Sequence, residues 1–323
     1  MRTFRDPVTS DDAARVLDAC APELAALEGK TVLITGASGF IGASLVDALL
    51  AFNQRATRPC TLWLTSRSRR HAGFAQWIEW SDSVPLVPPA GRCHYIVHAA
   101  SPLEGAGAEQ AMVALTREVI ALAKRDAVES FVYLSSGAVY AAQPAEVAAL
   151  PEGFAQAPAG AYGRAKRECE ALVAHAGVPS VAARLFACFG PRQSLDAGFA
   201  VPDFFRQALR KREIRVRSQG TAIRTFLYVS DLVATLLKLM LRKSGPTVCN
   251  VGARGPVVSI AELARLIGDI AGASVTIEGS AAEGPRPRYV PDVGRMEAFH
   301  KPRTGLAEGL RRMHEHLREA ATA

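Results

Sequence analysis

Residues 31–42 read TVLITGASGFIG, a β-branched run that ends in three glycines spaced three apart. No other stretch constrains this chain so tightly. A short apolar strand must stop at Thr35, turn through Gly36, Ala37, Ser38 and Gly39, and open a helix at Phe40, Ile41 and Gly42. Gly36 permits the tight turn, Gly39 lets a diphosphate approach the backbone, and Gly42 lets the helix pack closely on the strand. The first N–H groups of that helix have no intrahelical partner, and with the helix dipole they form a cradle for anions. Strand, glycine turn and helix in this order begin a βαβ unit that binds a dinucleotide.

The pattern then repeats. Strands are expected at 61–65, weakly at 84–87 between Pro85, Pro88 and Pro89, and at 95–98, 131–134 and 180–185. Helices are expected at 40–52, 109–124 and 162–176. Strands alternating with helices of this length imply crossover connections. The expected fold is therefore α/β: a Rossmann-type doubly wound parallel sheet with helices on both faces. After about residue 190 the rhythm changes to helices at 202–212, 232–241, 259–271 and 306–320, with short strands at 214–216 and 248–251. The helix at 259 opens on a capping box, Ser259-Ile260-Ala261-Glu262. The division expected is an N-terminal extension (1–29), a dinucleotide domain (30–190) and a smaller α+β substrate lobe (191–323), some of whose segments return to the first domain. In the extension, Ser10-Asp11-Asp12 would cap a short helix through Leu17.

Composition narrows the partners. With 323 residues, 49% hydrophobic and 21% charged, the chain is globular rather than disordered. Its net charge of +7 suits anionic ligands. No apolar run is long enough for a membrane span, and the charged N-terminus shows no signal-peptide core. Six cysteines without CxxC spacing read as free thiols in a reducing cytoplasm. His94 and His98, four apart on a strand, would stand about 13 Å apart, so no metal site is expected. The basic stretch Arg206, Arg210, Lys211, Arg212, Arg215 and Arg217 lacks interleaved aromatics and reads as a solvated helix face, not a nucleic-acid site.

Two further places carry chemistry. The second strand ends Leu64-Thr65-Ser66-Arg67-Ser68, without the carboxylate that would bind a ribose 2′-hydroxyl. Ser66 and Arg67 suit a 2′-phosphate instead, tilting the expectation toward NADP(H) while leaving NAD(H) open. Tyr162-Gly163-Arg164-Ala165-Lys166 sets a tyrosine and a lysine one helical turn apart on one face. A phenol of pKa about 10 needs a neighbouring ammonium to serve as an acid–base group near neutrality. Ser136, at the C-terminal end of a strand, is placed to hydrogen-bond the oxygen on which Tyr162 would act.

These segments resemble one family. TGASGFIG (35–42), HAAS (98–101), FVYLSSGAVY (131–140), YGRAK (162–166), ARLFACFGPR (183–192), RTFLYVSDL (224–232) and NVGARGPVVSIAEL (250–263) occur in order. The chain resembles the extended short-chain dehydrogenases/reductases of the NAD-dependent epimerase/dehydratase family, and overall is similar to UDP-glucuronate decarboxylases. Residues 1–29 fall outside the likeness. The resemblance implies Ser136, Tyr162 and Lys166 as the catalytic group, with Lys166 also holding the nicotinamide ribose. It implies Asp82 and Ser83 at the adenine, and Ala99, Ala100 and Ser101 along the cofactor. Arg224 and Arg288 would grip a sugar nucleotide, with Ser136 and Gly137 beside the sugar. A homodimer built on the helices at 109–124 and 162–176 is also implied.

The likeness is broken at two points. Where dehydratases carry Asp-Glu and decarboxylases Ser-Glu after the catalytic Ser/Thr, this chain has Gly137-Ala138. Elimination of water needs an acid and a base beyond Tyr162, and neither stands there. Ala187 replaces an asparagine that contacts substrate phosphate in relatives. The expected activity is NAD(P)-dependent hydride transfer on a nucleotide-activated sugar, by an epimerase or a 4-keto reductase. The alternatives are a nucleotide-sugar decarboxylase or dehydratase, and a non-catalytic NAD(P)-binding protein.

Overall fold

In the computed structural model the described residues are 6–66, 76–81, 91–101, 107–242, 245, 247–279 and 287–322. The first half lays down α1 (Pro7–Ala19), β1 (Thr31–Thr35), α2 (Phe40–Asn53), β2 (Thr61–Thr65), β3 (Ile78–Ser81) and β4 (Tyr95–His98). There follow α3 (Ala108–Arg125), β5 (Ser130–Ser136), α4 (Ala161–Ala174) and β6 (Ser180–Leu185). The second half is finer grained: β7 (Cys188–Phe189), α5 (Ala200–Lys211), β8 (Glu213–Val216), β9 (Ile223–Arg224), β10 (Leu227–Tyr228), α6 (Val229–Leu241) and β11 (Val248–Val251). It ends with β12 (Val258–Ser259), α7 (Ile260–Ala271), β13 (Ser274–Ile277), β14 (Arg288–Tyr289), α8 (Gly294–Glu297) and α9 (Leu306–Thr322).

Seven strands form one parallel sheet in the order β11-β6-β5-β4-β1-β2-β3. Its strands are almost wholly buried, as expected of a sheet covered on both faces. Leu33, Ile96, Phe131, Tyr133 and Ala182 join Met112, Val119, Cys169 and Val173 of α3 and α4 in one core layer. The alternate residues, among them Val32, Ile34, Val97 and Val132, join α2 and α6 in the other. The strand order reverses between β1 and β4, and such a switch opens a crevice at the carboxyl ends of those strands. Both candidate loops, the glycine turn after β1 and Ala99–Ser101 after β4, start there.

Two expectations are corrected or fall outside the description. The third strand out from the centre is Ile78–Ser81, paired with β2 through Leu62–Thr65. The weak strand placed at 84–87 lies outside the described residues. The periodicity there is diluted by prolines, while IEWS alternates too briefly to stand out. Helix α1 begins before Ser10, because Asp6 accepts from Val8 N at 3.0 Å and Pro7 occupies the first helical position. By contrast, the Ser259 capping box is present in full: Ser259 Oγ accepts from Glu262 N at 3.1 Å, and the Glu262 carboxylate accepts from Ser259 N at 2.7 Å. Beyond the main sheet, β9 pairs with β12 on one side and β14 on the other, which brings Arg224 opposite Tyr289. No described helix is long and apolar enough to cross a membrane, and all six cysteines are unpaired.

Candidate active site

The crevice between β1 and β4 is built by close backbone approach. Gly36 has φ +70°, and a Cβ there would lie 2.8 Å from the Ala100 backbone. No other residue type tolerates both demands. Ala37 N donates to Thr65 O at 3.1 Å, tying the turn to the end of β2. Gly39 caps α2 without a side-chain partner, and the first helical bond runs from Ala43 N to Gly39 O at 2.9 Å. The N–H groups of Phe40, Ile41 and Gly42 therefore precede the helical ladder and remain available to an anion. Ser38 and Ser66 are joined through their hydroxyls. Arg67, Asp82 and Ser83 lie outside the described residues.

Behind the crevice sits His98, fully buried. The Thr116 hydroxyl donates to Met112 O at 2.8 Å, so His98 Nε2 donates to Thr116 and its Nδ1 accepts from Thr35 Oγ1, 2.6 Å away. Thr35 Oγ1 in turn accepts from Ala100 N at 3.1 Å. The imidazole thus stiffens the Ala99–Ser101 corner while neutral. Burial first, then the Lys166 charge, push its pKa down to about 3. His94 instead accepts the Thr31 N–H at 3.0 Å, and the two histidines share no site.

Ser136, Tyr162 and Lys166 converge at the carboxyl end of β5. Ser136 ends the strand and accepts from Ala138 N at 3.1 Å, opening a 3₁₀ turn, Gly137–Val139. Helix α4 comes down on that turn at Gly163, where any side chain would overlap Ala138 O and meet Pro158. This contact brings Tyr162, one residue earlier, against Ser136. The Lys166 side chain is 3% exposed; its Nζ donates to Leu134 O at 2.7 Å and lies 4.9 and 5.7 Å from the Tyr133 and Tyr162 ring centroids. Burial lowers its pKa to about 8. The Tyr162 phenol is shifted up by burial, partly offset by the Ser136 and Ser101 hydroxyls that face it. In the protein alone, burial is the largest influence on this phenol, and it raises rather than lowers it. Ser101 Oγ is itself buried with no well-formed hydrogen bond among the described residues.

Beyond the main sheet, the Arg224 guanidinium stands over the Tyr289 ring at 5.5 Å, donates to Ile223 O at 2.8 Å, and is depressed in pKa by burial. Arg288 donates to Ala148 O at 3.3 Å, and its buried Nε has no partner among the described residues. Neither arginine pairs with a carboxylate among the described residues. The two arginines stand on adjacent strands, where the register sets Arg224 beside Tyr289 and Arg288 beside Ile223, on opposite faces.

Comparison with known proteins decides the family. The profile of the NAD dependent epimerase/dehydratase family matches residues 32–252. This chain belongs to that family. UDP-glucuronic acid decarboxylase 3 of Arabidopsis thaliana is 29% identical over 311 residues, covering 89% of each chain. Among solved structures, UDP-glucose 4-epimerase of Thermotoga maritima superposes with a TM-score of 0.77 at 21% identity, covering 90% of this chain and 99% of its own. MoeE5, solved in complex with UDP-glucose and NAD, gives 0.73 at 25% identity, with 90% and 99% covered. The protein is accordingly an enzyme-family member of NAD-dependent type with a Rossmann-like sheet.

Two residues at the site escape sequence reading. Tyr289 stacks on Phe186 at 4.5 Å between ring centroids, and its hydroxyl fills the space above Gly137, where a side chain would collide with it. Cys188, from β7, lies close enough to raise both the Tyr162 and Tyr289 phenols, and burial pushes its own thiol up to about 12. Tyr289 is distant from Gly137 in sequence and is brought there by the β9–β14 pairing and by the bridges of Gln143 and Leu150 to its segment; no local signal could have found it. Cys188 sits inside a quoted motif, yet a lone cysteine specifies nothing.

Proposed function

We propose that this chain catalyses reversible NAD(P)-dependent hydride transfer on a nucleotide-activated sugar, as an epimerase or a 4-keto reductase. The observation that carries this reading is the convergence of Ser136, Tyr162 and buried Lys166 on the dinucleotide crevice, with Arg224 over the neighbouring Tyr289 ring and Arg288 on the same strand as Tyr289. The residues fit a dinucleotide: free N–H groups at the start of α2, a turn that a Cβ would block, and a buried, unsatisfied Ser101 hydroxyl. When bound, the nicotinamide supplies a hydride acceptor and donor.

The protein's own groups handle the proton. Tyr162 Oη takes the proton from a sugar hydroxyl as it becomes a carbonyl, and returns it on reduction. Ser136 Oγ donates a hydrogen bond to the same oxygen and holds it against Tyr162. The Lys166 ammonium would favour the phenolate over the phenol. Gly137 and Ala138 leave no carboxylate after Ser136, so reactions needing a second acid and base at that point are disfavoured. Arg224 and Arg288 would hold the substrate diphosphate. Ser66 with Arg67 would favour NADP(H), Asp82 and Ser83 would meet the adenine, and α3 with α4 would form a homodimer face.

A panel of UDP-, GDP-, CDP- and dTDP-sugars, followed by mass spectrometry and sugar NMR, tests the activity. Epimer formation without net redox, or reduction of a 4-keto sugar with NADPH oxidation, is expected. Tyr162→Phe should lose turnover by about 10²–10⁴-fold while keeping dinucleotide affinity; unchanged turnover would refute the role. The similarity to UDP-glucuronic acid decarboxylases favours a second reading, release of CO₂ from a UDP-uronic acid. Carbon dioxide evolved from UDP-glucuronate would establish it.

A further inference from the structure

The Tyr162–Lys166 pair is not isolated in α4. One turn further on, at the same helical spacing, Glu170 is 7% exposed. Its carboxylate accepts from Arg184 Nε at 2.9 and 3.2 Å and from Nη2 at 2.7 Å, and it takes the Ser135 hydroxyl in a further bond. Ser135 immediately precedes Ser136. The remaining Arg184 nitrogen, Nη1, donates to Tyr140 Oη at 2.8 Å and to Glu152 O at 3.0 Å. Tyr140 donates to Asn250 Oδ1 at 2.7 Å, and Asn250 Nδ2 donates to Leu150 O at 2.8 Å and Asp292 O at 3.1 Å. A buried chain therefore runs from the catalytic helix through β5, β6 and β11 to the segment that carries Arg288 and Tyr289. Nothing in the hydride-transfer reading uses it.

We infer that Glu170 is a positioning residue: clamped by Arg184 and Ser135, its carboxylate is the buried counter-charge that keeps the Lys166 amine an ammonium. The groups facing Lys166 are His98 from β4, Tyr133 from β5, and Tyr162, Cys169 and Glu170 from α4, with Arg184 of β6 behind Glu170. Glu170 is the only carboxylate in that set. A lysine so desolvated loses its proton near neutral pH unless an anion shares its site. His98 cannot supply a charge of either sign at working pH, because it is held neutral. The Arg184 fork fixes the Glu170 carboxylate in one place, and Ser135 fixes it relative to Ser136. The same clamp therefore sets both the charge of Lys166 and the end of β5.

This inference rests on the reading that Tyr162 and Lys166 carry the proton step, and the test separates the two. The pH dependence of kcat/KM reports ionisations of the free enzyme. It is measured for wild type, Glu170→Asp, Glu170→Gln, the double variant Glu170→Gln/Arg184→Gln, and Tyr162→Phe. Wild type should show an alkaline limb near pH 8. Glu170→Gln should move that limb down by about one pH unit or more. Glu170→Asp, which keeps the charge, should restore it toward wild type. If Glu170→Gln fails to fold because Arg184 is left buried and unpaired, the double variant takes its place and should show a shift in the same direction, smaller because the Arg184 cation behind Glu170 is removed with it. A limb that stays put in a folded, charge-neutral variant, with Tyr162→Phe inactive, overturns the role of Glu170 alone. Full turnover in Tyr162→Phe overturns the reading of the site itself.

Discussion

Lys166 should cost this protein stability, and removing it should show how much. The side chain is 3% exposed and its pKa falls from 10.5 to about 8 on folding, chiefly through desolvation. At pH 7 the lysine is charged in both states, so a shift of that size corresponds to about 3 kcal/mol against the folded state. The sign follows from proton counting. Between pH 8 and 10.5 the unfolded chain binds more protons at this site than the folded one, so stability rises with pH and the penalty is relieved. By pH 10 it shrinks to below about 1 kcal/mol. Lys166→Met keeps the aliphatic bulk and removes the charge, leaving Leu134 O without its donor at a cost of about 1 kcal/mol. The variant should therefore be more stable than wild type by about 2 kcal/mol at pH 7, raising Tm by several degrees. That advantage should vanish near pH 10, and turnover should be lost throughout. Denaturant melts at the two pH values measure it. A variant less stable than wild type at pH 7, or a difference independent of pH, would refute the claim that the lysine is held in a desolvated site.

Three other perturbations probe separate parts of the site. Gly42→Ala would overlap the Gly36 carbonyl oxygen and lie 2.9 Å from Ala37 Cα; isothermal titration should find dinucleotide affinity reduced at least about 10-fold, equivalent to about 1.4 kcal/mol. Gly137→Ala displaces the Tyr289 hydroxyl; KM for the sugar nucleotide should rise while dinucleotide Kd stays the same, and a change in both would place Tyr289 elsewhere than the sugar side. His98 titrates near 6.5 unfolded and about 3 folded, so the folded state binds fewer protons between those values and stability falls as pH drops below about 6.5. Acid melts of His98→Gln should lose this slope; an unaltered slope would assign acid sensitivity to other groups.

Much of the architecture is legible because local rules and global packing agree. The glycine turn, the strands β1, β2, β4, β5 and β6 and the Tyr–Lys spacing each follow from a short segment whose own chemistry dictates its shape. The Ser259 capping box is read correctly for the same reason: both partners lie within four residues. Misreadings occur where the signal is short or comes from elsewhere. Helix α1 starts at Pro7 because Asp6 caps it, and three acidic or hydroxyl residues in a row at 10–12 offer a false start. Once folded, they serve other contacts: Asp12 binds Tyr228 Oη at 2.8 Å and Arg312 at 2.7 Å, tying the N-terminal segment to α9. Much of the basic stretch at 206–217 is similarly spent internally, Arg206 on Asp196 and Asp203 and Arg215 on Glu213.

The sequence by itself determined that a dinucleotide turn opens a parallel α/β sheet, and that a serine, a tyrosine and a lysine are candidates for proton chemistry beside it. Those facts depend on neighbours along the chain. Tertiary structure decided how each group behaves there. Burial sets the Lys166 and Tyr162 ionisations, and Gly163 against the turn after Ser136 brings the hydroxyls together. Tyr289 and Arg224 meet through a pairing of strands far apart in sequence, and Glu170 finds Arg184 across α4 and β6. Ionisation and contact depend on distance and desolvation in three dimensions, which residue order does not encode until the sheet has assembled.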